Sequence, residues 1–261
     1  MIKSLARRWN QYKYRFVPWL AANINESSPR IVETVQLDKL ISDEDVEQQL
    51  NILFSKFGSN HDVNSQAVLD LCGFRINRKP SLLEDGGIGV FVDAGLVKSG
   101  TVVAIYPGAV YQPWEPVFLI SLRNSYLFRC ADSVHIDGKD KGLSRMMYNS
   151  FARRDSLRGQ LMCDNSWQTE YPLNPLAVGQ YVNNQSNKFS ANVAYQEFDV
   201  PAKFPSHLRK YIPNTEARLH QDMEQSMFNR LLRMVVLVSI RDIHPGEELF
   251  STYFTIVSKP S

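Results

Sequence analysis

The sequence predicts a mostly-β fold with helical insertions, joined to a helical N-terminal extension. Three observations predict it. Short β-prone runs bounded by Gly, Pro or Asp recur after Gly87. Long polar stretches, rather than regularly spaced helices, separate those runs. The first ~80 residues read as mainly helical by their 3.6-residue periodicity. Residues 1–80 are therefore expected to form the helical extension and residues 86–257 the main domain, with insertions near 143–175 and 201–229.

The elements follow in order. Ser42 opens Ser-Asp-Glu-Asp, a capping-box-like helix start. Val46, Leu50, Leu53, Phe54 and Phe57 follow at helical spacing, and Gly58 closes the helix. A second short helix is expected from Val63 to Cys72, ending at Gly73. Asn77 to Gly86, with Pro80 and several charges, reads as a linker. Strands are expected at Val90-Phe91-Val92, Thr101 to Tyr106, Tyr126-Leu127-Phe128, Val134-His135-Ile136, Val193-Ala194-Tyr195 and Met234 to Ile240. Arg145 to Pro175 reads as polar and irregular. A helix is expected around Glu216 to Met227, within the second insertion.

Composition bounds the function. Of 261 residues, 44% are hydrophobic, enough for a sizeable core and against wholesale disorder. A net charge of +2 gives no general pull toward nucleic acid. Cys72, Cys130 and Cys163 are widely separated and form no CxxC pair, so they read as free thiols in a reducing compartment and no zinc is expected. No apolar run approaches the roughly 20 residues a membrane span needs, and no secretory signal is present.

The N-terminus is basic and acid-poor: Lys3, Arg7, Arg8, Lys13 and Arg15 all precede Glu26, the first acid. Ile2, Leu5, Ala6 and Trp9 fall near one face of a helix. That pattern fits a mitochondrial transit segment, an anionic-surface contact or a helix docked on the main domain. Trp9, Tyr12, Tyr14, Phe16 and Trp19 favour docking, because aromatics are costly to leave exposed. The expected location is intracellular, mitochondrial or nuclear, with a slight lean to mitochondria from the acid-poor basic start. Nucleic acid is not indicated beyond this arm.

Three segments carry candidate chemistry. Gly87-Ile88-Gly89 enters a strand, where glycine lets a backbone approach a ligand closely. No third glycine or helix follows, so this is not a dinucleotide fingerprint. Tyr181-Val182-Asn183-Asn184-Gln185-Ser186-Asn187 is a polar run after apolar residues, and asparagine offers both donors and acceptors to a ligand. Gly246-Glu247-Glu248-Leu249-Phe250-Ser251-Thr252-Tyr253 follows the apolar run ending near Ile243. Each alone also fits a bland role: a turn, an asparagine-rich loop or a packing tyrosine.

Together and in this order, the three segments resemble the SET-domain family. That family shows Gly-x-Gly near the domain start, Asn-His-Ser-Cys in the middle, and Gly-Glu-Glu-Leu followed by tyrosine at the end. Gly100-Thr101-Val102-Val103 to Tyr106-Pro107-Gly108, Ile136-Asp137-Gly138 to Gly142, and Asn192-Val193-Ala194-Tyr195 match further blocks. The blocks cover about a third of the chain. The family's histidine is Asn184 here, its serine Gln185 and its cysteine Ser186. Ala109 replaces the usual acid after Tyr-x-Gly, and no cysteine cluster follows Tyr253.

The resemblance implies a fold of several small sheets with a knot-like C-terminal segment. It implies an S-adenosylmethionine-dependent methyltransferase acting on lysine in a protein or peptide. Tyr253 matches the catalytic tyrosine and also lies against the cofactor; Tyr106 and Tyr195 are implied channel tyrosines. Asn183 is implied to hold the cofactor's amino acid end, with Gly87, Ile88, Gly89 and Asn184 contributing main-chain contacts. Phe91 reads as strand packing. The insertions are the expected seat of substrate selection. The altered Asn-His motif leaves open a non-catalytic SET fold that binds a peptide or partner.

Overall fold

A computed structural model describes residues 30–33, 38–57, 69–70, 72–154, 162–217 and 232–252, and the backbone of 12–14, 58–59, 156–157, 160–161 and 254–257. The chain runs through β1 (Tyr12–Tyr14), β2 (Arg30–Val32), α1 (Asp43–Ser59), β3 (Phe74–Pro80), β4 (Ile88–Gly95), β5 (Val102–Tyr106) and β6 (Gly108–Tyr111). Next come α2 (Phe118–Ser121), β7 (Leu127–Arg129), β8 (His135–Asp137), α3 (Gly142–Arg154), β9 (Ser156–Leu157) and β10 (Gln160–Leu161). β11 (Asn183–Asn184), β12 (Val193–Val200), β13 (Asn214–Glu216), β14 (Leu232–Ser239), β15 (Phe250–Ser251) and β16 (Phe254–Val257) complete it.

These strands form several small sheets rather than one, and their orders show how the chain crosses between them. The central one has the order β12-β14-β5, all antiparallel, with Tyr195 opposite Leu237 and Leu237 opposite Ala104. Met234 to Val238 are buried, so β14 is apolar on both faces, as a strand covered on two sides must be. A second sheet has the order β13-β6-β8-β7, and β3 pairs with β4 as a hairpin. β16 lies between β1 and β2, antiparallel to the first and parallel to the second.

α1 forms where its cap and spacing require. The Ser42 Oγ accepts from the backbone N–H of Asp45 at 3.0 Å. Val46, Leu50, Phe54 and Phe57 are buried in the main core. Phe54 and Phe57 meet Tyr211 at ring-centroid distances of 5.8 and 5.9 Å. Two glutamines bind this extension to the sheet edges. Gln49 accepts from Val102 N at 2.8 Å and donates to Gly100 O at 3.0 Å. Gln196, 1% exposed on β12, accepts from Leu40 N at 2.8 Å and Ile41 N at 3.3 Å, and donates to Ile41 O at 2.9 Å.

The structure corrects several expectations. The extension is not helical throughout: Arg30–Val32 and Phe74–Pro80 are strands. The expected linker at Asn77 begins as strand, because β4 completes its ladder while Asp93 takes Arg75 and Lys79 as partners, each at 2.7 Å. Pro80 stands at the strand's end, where its missing N–H does no harm. The stretch from Arg145 is not irregular at its start, since α3 spans Gly142–Arg154. Its buried face is only Ser144, Tyr148 and Ala152, too narrow and polar to show as a periodic apolar stripe.

That face meets a second core with Tyr111, Leu127 and Trp167, and Tyr148 meets Trp167 edge-on at 5.1 Å. Beyond α3, the buried Asp164 organises the insertion by accepting from Ser166 N at 2.7 Å and Asn174 N at 3.1 Å. In the second insertion, Asn214–Glu216 is a strand parallel to β6. The expected helix over Glu216–Met227 otherwise lies outside the described residues, as do most of the Val63–Cys72 helix and the basic N-terminal helix. Among the described residues, no helix is long and apolar enough to cross a membrane.

Gln196→Ala is expected to destabilise the fold by about 1 to 3 kcal/mol, because it removes the partner of two part-buried N–H groups and a carbonyl. Denaturant unfolding measures it; a loss below about 0.5 kcal/mol would show that Gln196 does not hold the extension.

Candidate functional site

The three segments singled out in the sequence meet in space, although they lie far apart along the chain. The returning segment pairs with β4: Leu249 N donates to Val90 O at 2.7 Å, Val92 N to Glu247 O at 2.9 Å, and Gly246 N to Val92 O at 2.7 Å. β15 then runs parallel to β11, setting Asn183 beside Phe250 and Asn184 beside Ser251. Gln185 N donates to Ser251 O at 2.8 Å. Asn192 locks the crossing: its Nδ2 donates to Glu248 O at 2.8 Å and its Oδ1 accepts from Phe250 N at 2.9 Å. Phe189 stacks on Phe250 at 5.2 Å. The C-terminal segment is thus threaded between β4 on one side and the Asn183–Asn192 loop on the other.

The glycines of Gly87-Ile88-Gly89 do different work. Gly87 has φ +59° with open space where a Cβ would stand, so backbone conformation alone calls for glycine. At Gly89 a Cβ would stand 2.0 Å from Glu248 Oε1. Gly89 therefore makes room for a protein carboxylate, where the sequence suggested only an approaching ligand.

Glu248 is 2% exposed. Its Oε1 accepts from Ser81 Oγ at 2.8 Å and from Asn183 Nδ2 at 3.2 Å, and its Oε2 from Leu82 N at 2.8 Å. Asn183 Nδ2 also donates to Ile88 O at 3.2 Å. Glu247, its neighbour, points the other way. It pairs with Arg241 at 2.5 Å and accepts from His244 N, and the arginine's hydrogen bond holds its carboxyl below the usual range.

Tyr106 and Tyr195 are brought together, and both are fully buried. Their rings lie 6.2 Å apart and each packs on Phe128 at 5.2 Å. Tyr106 donates its hydroxyl to Tyr126 O at 2.8 Å and Tyr195 to Val182 O at 3.3 Å. The second acceptor leads directly into Asn183, so the aromatic cluster and the asparagine loop share a border. Tyr253 lies outside the described residues. Phe91 is buried in its strand.

Sequence reasoning missed Glu248, Ser81 and Asn192. The usable signal for Glu248 was an acid immediately before Leu249-Phe250, two residues that are themselves buried. All three cysteines are free. Cys130, Asp132 and Glu197 bring one ligand atom each within 4.8 Å, but Arg233 already pairs with both carboxylates, at 2.9 and 3.0 Å.

Comparison with known proteins sets this geometry in a family. SET domain-containing protein 9 of Homo sapiens is 43% identical over an alignment of 303 residues that spans 99% of this chain and 99% of that protein. The chain belongs to the SET-domain family. SET domain-containing protein 9 of Pongo abelii is 52% identical over 186 residues, 71% of this SET-domain chain and 66% of that protein. No protein-family model matches the chain. Among solved structures, CpSET8 from Cryptosporidium is 15% identical, covers 97% of this chain and 89% of that one, and has a TM-score of 0.37. A ctPRC2 structure in an autoinhibited conformation bound to S-adenosylmethionine is 16% identical, with a TM-score of 0.36. It covers 72% of this chain, which spans only 16% of that one.

Gly89→Ala is expected to destabilise the protein by about 1 to 3 kcal/mol through overlap with Glu248. In a Glu248→Ala background the same change is expected to cost less than about 0.5 kcal/mol. Unfolding the four proteins in denaturant closes the cycle; an equal cost in both backgrounds would contradict the overlap.

Proposed function

We propose that this chain is an S-adenosylmethionine-dependent methyltransferase that acts on a lysine side chain of a protein or peptide. The observation that carries the reading is the convergence of the Gly87–Val92, Asn183–Ser186 and Gly246–Ser251 segments at one place. Membership of the SET-domain family supports it.

The residues present fit the cofactor. Asn183 turns both amide protons inward, to Glu248 and Ile88 O. Its Oδ1 accepts no hydrogen bond from the described residues and is left to receive one from a ligand's amino group. Gly87, Ile88 and Gly89 offer main chain at the same edge, with Ile88 exposed. Asn184, paired to Ser251 through its backbone, takes the position of the family's histidine. S-adenosylmethionine, when bound, supplies a methyl group made electrophilic by its sulfonium.

The chain's own task is then to present a neutral amine in line with that methyl group. Lysine has an ordinary pKa of ~10.4, so holding it neutral near pH 7 costs roughly 4 to 5 kcal/mol. Desolvation by aromatic walls lowers that cost, and we assign that role to the packed rings of Tyr106, Tyr195 and Phe128. We assign Tyr253 the role of orienting the amine through its hydroxyl, as the family motif implies. Asn183 and the main chain of residues 87–89 would hold the cofactor, and the cofactor would supply the methyl group to the lysine nitrogen. No metal or covalent enzyme intermediate takes part in this scheme.

A non-catalytic, partner-binding reading is favoured by one observation: the Tyr106 and Tyr195 hydroxyls are both engaged with backbone carbonyls. Transfer of a labelled methyl group to protein extracts separates the two readings. The wild type is expected to label a lysine-containing substrate. Tyr253→Phe is expected to keep its Tm and to lose about two orders of magnitude in rate, since a misaligned nucleophile forfeits positioning. Equal rates would remove Tyr253 from the mechanism. Cofactor binding with no transfer by the wild type would put the partner-binding reading first.

A further inference from the structure

Glu248 is a buried carboxylate for which the described part of the chain provides no cation. Ser81, Leu82 and Asn183 give it three hydrogen bonds, all from neutral donors. Among the described residues no Lys, Arg or His forms an ion pair with it. A carboxylate removed from water is stable when it is hydrogen-bonded and its charge is met. Here the hydrogen bonds are present and the opposite charge is not.

The neighbouring amide points to where that charge comes from. Asn183 Nδ2 lies between two acceptors, Glu248 Oε1 and Ile88 O, each 3.2 Å away. Two acceptors at one end fix which end of the amide is nitrogen, so Oδ1 must face outward. With a leucine-like or cationic neighbour in place of Glu248, only Ile88 O would hold that orientation. The outward carbonyl oxygen, backed by a negative charge one residue behind it, suits a cationic amino group and repels an anion.

We infer that Glu248 is a positioning and specificity residue: acting through Asn183, it makes this subsite select ligands that carry an ammonium group. In this site the ammonium is that of the cofactor's amino acid end, so the inference rests on the cofactor reading above. It adds a residue that selects the ligand without needing to touch it. It also explains why Gly89 must lack a side chain, since a Cβ there would displace the carboxylate.

The test uses two thioethers without the sulfonium charge that differ only in the amino group: S-adenosylhomocysteine and its des-amino analogue. Calorimetric affinities are measured for the full-length wild type and Glu248→Gln. The wild type is expected to prefer S-adenosylhomocysteine by about ten-fold or more, a preference typical of losing one charge-assisted hydrogen bond. Glu248→Gln is expected to weaken S-adenosylhomocysteine by about ten-fold while leaving the des-amino analogue within about three-fold.

Asn183→Leu, at a half-exposed position, is expected to show the same selective loss, and adding Glu248→Gln to it should bring no further loss. This second variant decides the matter if Glu248→Gln fails to fold. Equal weakening of both ligands, or a wild type that does not distinguish them, would overturn the inference while leaving the cofactor reading intact. A wild type that binds neither ligand would overturn the cofactor reading itself, and the inference with it.

Discussion

A carboxylate held away from water must have its lone pairs met by donors, and at Glu248 that demand ties distant parts of the chain together. Ser81 and Leu82 come from the turn after β3, Asn183 from the asparagine loop, and the space itself from Gly89. Leu249, next along, is buried and hydrogen-bonded to β4, so the acid cannot swing out to solvent without unpairing the strand. The site is therefore built around a protein charge, and its glycine, serine and asparagine are complementary to that charge before any ligand is considered.

The rest of the fold serves to bring the returning C-terminal segment to this place. The β12-β14-β5 sheet buries an apolar central strand whose end leads, through Ile243, into the segment that pairs with β4. Burial of Val, Leu and Ile side chains contributes about 1.5 to 3 kcal/mol each, so β14 is an anchor from which the threaded segment departs. Asn192 then holds the crossing with three hydrogen bonds to residues 248–250. α1 closes the other side, with Gln49 and Gln196 covering backbone groups at the sheet edges. The N-terminal strands β1 and β2 flank β16, so both ends of the chain share one small sheet just beyond Thr252.

Much of this was legible in the sequence, for identifiable reasons. α1 announced itself because Ser42 caps it and five apolar residues repeat at helical spacing. β14 did so because a strand covered on both faces must be apolar throughout. β3 was hidden: Asn77, Arg78 and Lys79 read as linker, and only pairing with β4 makes them strand. α3 was hidden because its buried side is a serine, a tyrosine and an alanine. In the site, Asn183 and the glycines were legible through the order of the blocks. Glu248 was not, because adjacent glutamates look alike in one dimension. Which of the two turns inward depends on Arg241, which holds Glu247 at the surface, and on Ser81, a residue over 160 positions away.

The central claim is that three separate segments form one cofactor site. Amide hydrogen exchange, followed by mass spectrometry with and without S-adenosylmethionine, tests it most directly. The account predicts slowed exchange in residues 81–92, 181–187 and 247–252 together, with α1 unchanged. Slowing in one of these segments alone, or in none of them at saturating cofactor, would contradict it.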